Sequence, residues 1–294
     1  MKRLISILTI HSVRELFRYK SFLFLIFVLF FLDRGLKKYA GPHTALPDFG
    51  KLKTFGMEAA RFLFEDFLSL IKSILLTPET VMVLFLLFIG KQIISLWPSS
   101  DMRRMHRHER KGFGIFASLK AIRINQVLWD ALAVGSICCV VFGWMGTWFF
   151  VLRYFWFQSP SVFWLGLFIM AGFMVFPIAM AGFSYSSKLA VLSKGSFREK
   201  LSLYFKLFTD RRIFLWSWAF YAARIVVETV FVAAIPVFVM VTMENFWLRM
   251  AISGLSATPV YAYLKMASFK FFLITYEPYP LVKEEYASYF SSIV

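Results

Sequence analysis

Arg224 and Glu228 stand four residues apart within an apolar run, "AARIVVETVF" at 222–231. In a helix that spacing puts the guanidinium and the carboxylate on nearly the same face. In an apolar medium such a pair can recognise charge or hold a proton. A carboxylate there is costly unless it is paired or protonated. Aromatic residues set its depth. Trp216 and Trp218 mark one interface, Glu244 and Trp247 the other, so Glu228 falls near the midplane. Arg224 lies about 6 Å nearer the first surface. It is expected to reach toward that surface, which leaves Glu228 as the group in need of neutralisation.

Lys91 and Lys265 fall at comparable depths below the same surface. With Arg224 they are expected to ring a basic vestibule with Glu228 at its floor. Pro177, Pro236 and Pro259 interrupt apolar segments and deprive the carbonyls of Phe173, Val232 and Leu255 of their usual partners. Pro259 follows the small-residue run "AISGLSAT", in which Ser253, Ser256 and Thr258 offer hydroxyls. A broken helix facing a midplane acid is a common way to build a transport site. The candidate binding residues are Glu228, Arg224, Lys91, Lys265, Ser256 and Pro259. The competing reading is structural: Arg224 neutralises Glu228 and the lysines reach the headgroups.

The elements that must position these residues follow from composition. Of 294 residues, 59% are hydrophobic and 20% aromatic, with 37 Phe and only 17% charged. So much apolar surface is suited to lipid rather than to one soluble core. The formal charge of +16 would suggest nucleic acid in a soluble protein. Here the basic residues flank apolar segments, as membrane orientation and anionic headgroups favour. No nucleic-acid partner is expected. Cys138 and Cys139 are adjacent, a spacing too strained for a disulfide, and read as small packing residues.

Six segments are candidate spans: about 19–33, 79–97, 128–150, 161–183, 214–240 and 248–272. The first has a short clean core, "SFLFLIFVLFFL", and reads as a retained anchor rather than a cleaved signal peptide. Six crossings place 21 of the 33 Lys and Arg on one side, which marks that side as cytoplasmic and both termini with it. The fold class is an all-α polytopic membrane protein, 1–294 as a single membrane domain, with its helices as three hairpins. Residues 57–76 carry charge on one face and Phe62, Phe67 and Ile71 on the other, as for an amphipathic helix in the outer interface. A second amphipathic helix is expected on the cytoplasmic side at about 196–210, opened by the capping-box pattern "SFRE". "SVRE" at 12–15 repeats the pattern before the first span, but the positive-inside rule alone accounts for such basic stretches.

"SSKLAVLSKGSFREKLSLYFKLF", followed by a long span and by "ATPVYAYLKMASFKFF" at 257–272, resembles six-helix bacterial integral membrane families of unknown function. These include the membrane domain attached to some glycerophosphodiester phosphodiesterases. The resemblance covers roughly 185–272, and Gly195-Ser196 departs from the Gly-x-Ser cap of those families. It implies a fold and an inner-membrane location, and no catalytic residues.

No phosphate-binding loop, dinucleotide fingerprint, zinc-protease motif or nucleophile elbow is present, so no cofactor, metal or catalytic residue is assigned. His106 and His108 of "MHRH" are expected in a solvated basic loop, and Asp130 beside Trp129 at the interface. The function these features suggest is a non-enzymatic transporter-like or lipid- and amphiphile-binding protein whose partners are anionic membrane lipids. The alternative is a scaffold or accessory subunit that docks other protein subunits in a membrane complex.

Overall fold

The computed structural model describes residues 12–40, 78–107, 115–158, 162–233 and 246–293. The region 57–76, His108 and Pro236 lie outside the described residues. What is described is helical, without a strand. The elements are α1 (Ser12–Arg18), α2 (Lys20–Ala40), α3 (Pro78–His106), α4 (Ile115–Lys120), α5 (Ile124–Gln158), α6 (Val162–Ala190), α7 (Phe197–Thr209), α8 (Arg211–Val227), α9 (Phe246–Tyr276), α10 (Pro280–Glu285) and α11 (Ala287–Ile293). A π-helical stretch, Glu228–Ala233, continues α8.

Among the described residues three segments are long and apolar enough to cross a membrane: Ile124–Trp148, Met170–Ala190 and Arg211–Val230. Lys20–Leu32 is a shorter apolar helix. In α2 the buried residues are Phe22, Leu25, Ile26 and Leu29, one helical stripe, while Phe24 and Leu32 face outward. In α5 the stripe is Trp129, Ala133 and Ile137, and Leu132, Val140, Phe142 and Phe150 are exposed. Large apolar side chains turned outward in this number need an apolar surrounding, which lipid supplies.

The long helices pack in chain order. α2 lies against α3, α3 against α5, α5 against α6, and α6 against α8. α9 then touches both the π-helical stretch and α2, which closes the circuit. Gly254 of α9 admits the rings of Phe27, Phe30 and Phe31 of α2, each 3.2–3.3 Å from where a methyl would stand.

The densest core lies toward one end, where α3 finishes, α6 finishes and α8 begins. There Tyr185, Tyr221, Phe272, Tyr276 and Tyr286 are fully buried, with Tyr185 meeting Tyr221, Phe272 and Tyr276 edge-on or tilted. This is the basic end of the bundle. Two stretches that read as loops in the sequence are largely helical here. α3 continues through Pro98 as far as His106, and α6 runs through Pro177 to Ala190. His106 is not solvated: it is buried between Phe269, at 5.3 Å, and Tyr289, at 4.6 Å. Cys139 is exposed rather than packed, and neither cysteine is bonded.

The turn after α6 is fixed at two points. Gly195 has φ 89°, and a methyl there would stand 2.8 Å from both terminal carbons of Leu281 in α10. Glycine alone meets both conditions. Ser196 then caps α7: its hydroxyl accepts from the Glu199 backbone N–H, and Glu199 accepts from the Ser196 N–H at 2.6 Å. The C-terminal helices are held by Glu285. Its carboxylate accepts from Arg103 Nε at 2.9 Å, Arg107 Nη1 at 3.0 Å and the Ser193 hydroxyl at 2.6 Å. Burial pushes this carboxyl up, but Ser193 and Arg103 together outweigh it and hold it below the usual carboxylate range.

Candidate functional site

Lys188 lies near the end of α6 and is 2% exposed. Its ammonium donates to the Ser184 hydroxyl at 2.5 Å, one turn back on the same helix. It donates to Ser268 Oγ of α9 at 2.6 Å and reaches Tyr221 OH of α8 at 3.5 Å. Tyr221 and Ser268 are themselves bonded at 2.8 Å. Three helices therefore meet at one amino group, and each brings a hydroxyl. Among the described residues no carboxylate bonds to Lys188. Instead the rings of Tyr185 and Phe272 lie 5.4 and 5.9 Å away, a setting that favours a cation. Hydroxyls of neighbouring residues extend the network, with Tyr185 to Ser217 at 2.9 Å and Ser99 to Ser187 at 3.0 Å.

Two further cations act on Lys188: Arg224 and Lys265. Arg224, 6% exposed, lies one turn further along α8, with its guanidinium carbon 5.6 Å from the Tyr221 ring centre. Lys265 is one turn from Ser268 on α9 and stands 5.8 Å from the Tyr261 ring centre. The Arg224 guanidinium does not reach away from Glu228. Its Nε and Nη2 both donate to Glu228 Oε1, at 2.8 and 2.6 Å. The expected departure of Arg224 toward the surface is thus corrected: in this apolar setting the nearest carboxylate outcompetes a longer route to the headgroups. At Glu228 the helix widens into the π-helical stretch, a form often found at working sites.

The structure brings Arg224, Glu228 and Lys265 together and adds Lys188 to them. Lys91 stands apart, exposed on α3, where it acts on Cys138 of α5. Ser256 is exposed and its hydroxyl donates back to the Ile252 carbonyl at 2.8 Å. Pro259 is exposed within α9, which runs on past it to Tyr276. The Thr258 hydroxyl beside it is turned onto the Gly254 carbonyl at 2.5 Å.

Asp130, expected at the interface beside Trp129, lies near the start of α5. It is fully buried within the protein, 0% exposed. α6 covers it, because the small residues Gly182 and Ala133 let α5 and α6 approach closely. Among the described residues no group of three or more His, Cys, Asp or Glu could hold a metal ion.

The residues missed from sequence are Lys188, Ser184, Tyr221 and Ser268, and Asp130 is noted there without a site role. One signal for the first was present: "SYSSK" puts Ser184 and Lys188 at i, i+4, on one face if the helix continues. No family model matches the sequence, and no curated protein or solved structure is significantly similar to the chain.

Proposed function

We propose that this protein is a six-span integral membrane protein, arranged as three hairpins, that binds the anionic group of a lipid or related amphiphile. The carrying observation is Lys188, an ammonium buried among Ser184, Tyr221 and Ser268 with Arg224 and Lys265 nearby. Glu228 is occupied by Arg224, so its carboxylate is not offered to Lys188. An uncompensated charge in an apolar interior is costly, and an incoming anion relieves that cost. The surrounding hydroxyls can turn their protons toward such an anion once it arrives. A phosphate or carboxylate headgroup fits this chemistry, and its acyl chains suit the exposed apolar flanks of α5 and α6.

The basic end then faces the cytoplasm of a bacterial-type inner membrane, with both termini on that side, by the positive-inside rule. Native mass spectrometry of the full chain, released from vesicles of mixed anionic and zwitterionic phospholipid, tests the reading. Wild-type protein should retain anionic lipid. Lys188→Met should lose it by about tenfold, the equivalent of roughly 1.4 kcal/mol, whereas Lys91→Met should not. Equal retention by wild type and Lys188→Met would remove the site.

A further inference from the structure

Asp130 poses a separate question. Its two carboxylate oxygens are buried and neither has a hydrogen-bond partner among the described residues. The seam around it is tight. Along α5 and α6 the contacts run Ile137 to Gly182, then Ala133 beside Tyr204, then Asp130 opposite Ser186. A methyl on Gly182 would overlap Ile137. The facing hydroxyl of Ser186 donates to the Phe183 carbonyl of its own helix at 2.9 Å and lies within reach of Asp130 as an alternative acceptor. From α7, the Tyr204 hydroxyl donates to the Ala133 carbonyl at 3.3 Å. From α9, Lys265 acts on Asp130 electrostatically. From α3, Lys91 acts on Cys138, two turns further along α5.

A carboxylate anion held this way would have lost its water and gained no donor, whereas a neutral carboxylic acid bears a far smaller cost. Ionisation needs a donor, and a donor can come only from a rotated Ser186, an approaching Lys265 or entering water. Ser186 can supply one donor by turning within the seam, whereas an approaching Lys265 or entering water requires the α5–α6 seam to loosen. We infer that Asp130 is a proton-binding site: it holds its proton while the seam is closed and gives it to water when the seam opens. Proton loss and opening are then two descriptions of one transition. Ser186 and Lys188 stand about 200° apart around α6, so the inference does not depend on anion binding at Lys188.

The experiment uses the full chain in liposomes. Infrared spectra at neutral pH should contain a protonated-carboxyl stretch that shifts in heavy water and is absent from Asp130→Asn. In a Cys138→Ala, Cys139→Ala background, a Ser186→Cys reporter should react with maleimide more steeply as pH rises than the same reporter carrying Asp130→Asn. The difference should reach about tenfold per unit of pH for one proton. Superimposable labelling profiles, or a carboxyl stretch unchanged by Asp130→Asn, would overturn the inference. So would failure of Asp130→Asn to fold, because a neutral side chain is what the closed seam is said to hold.

Discussion

Glu285 and Lys188 are both buried ionisable groups near the basic end, and they are satisfied in opposite ways. Glu285 accepts from two guanidiniums and a serine, so its charge is matched by permanent partners. Among the described residues Lys188 is bonded to hydroxyls, with the cations Arg224 and Lys265 acting on it. A matched charge holds elements together. An unmatched one is retained at a cost to stability, and the anion proposed for it supplies a reason for keeping it. The comparison therefore separates a fastening from a candidate site by counting opposite charges rather than by burial, since both side chains are buried.

Removing the matched charge should have the largest effect. Glu285→Ala leaves Arg103 and Arg107 facing each other across a vacated position, and should cost about 3–5 kcal/mol, read as thermal unfolding in detergent. Acid should reproduce part of this loss. The folded-state carboxyl of Glu285 is held below its ordinary value, so its contribution is present above the unfolded value and disappears as pH falls through the folded one. Wild type should lose stability below about pH 4.5, and Glu285→Ala should lose less over the same interval.

Lys188→Met should behave in the opposite sense. Replacing an unmatched buried cation by an apolar side chain of similar length should leave stability unchanged or raise it by about 1–4 kcal/mol. A loss as large as that of Glu285→Ala would make the two charges equivalent and dissolve the distinction. The smallest effect should come from Ser196→Ala, which removes one cap from α7 and should cost about 1 kcal/mol. That value gives the scale of a single exposed bond near the same end, against which the other two can be judged.

The helical class and the capping of α7 are legible in the sequence because each is local. "SFRE" contains both partners of its cap, and the stripe Phe22, Leu25, Ile26, Leu29 has the helical period. The pairing of Arg224 with Glu228 is local too, but its geometry is a competition between a near carboxylate and a distant surface, which spacing alone does not decide. Lys188 is different in kind. Its partners Tyr221 and Ser268 are 33 and 80 residues away. Nothing in "SYSSK" distinguishes a helix that keeps its serines inside from a polar loop. Asp130 was hidden for a related reason. Its burial depends on Gly182 of the next helix, where the informative feature is the absence of a side chain.

Gly195 carries a consequence for how the chain is assembled during synthesis. Leu281 can seat against this residue only after the turn at 191–196 has taken its left-handed form. Residues 280–293 leave the ribosome after every other described element. The basic end is therefore the last part of the bundle to close, and until then Arg103 and Ser193 await the carboxylate that will fasten them.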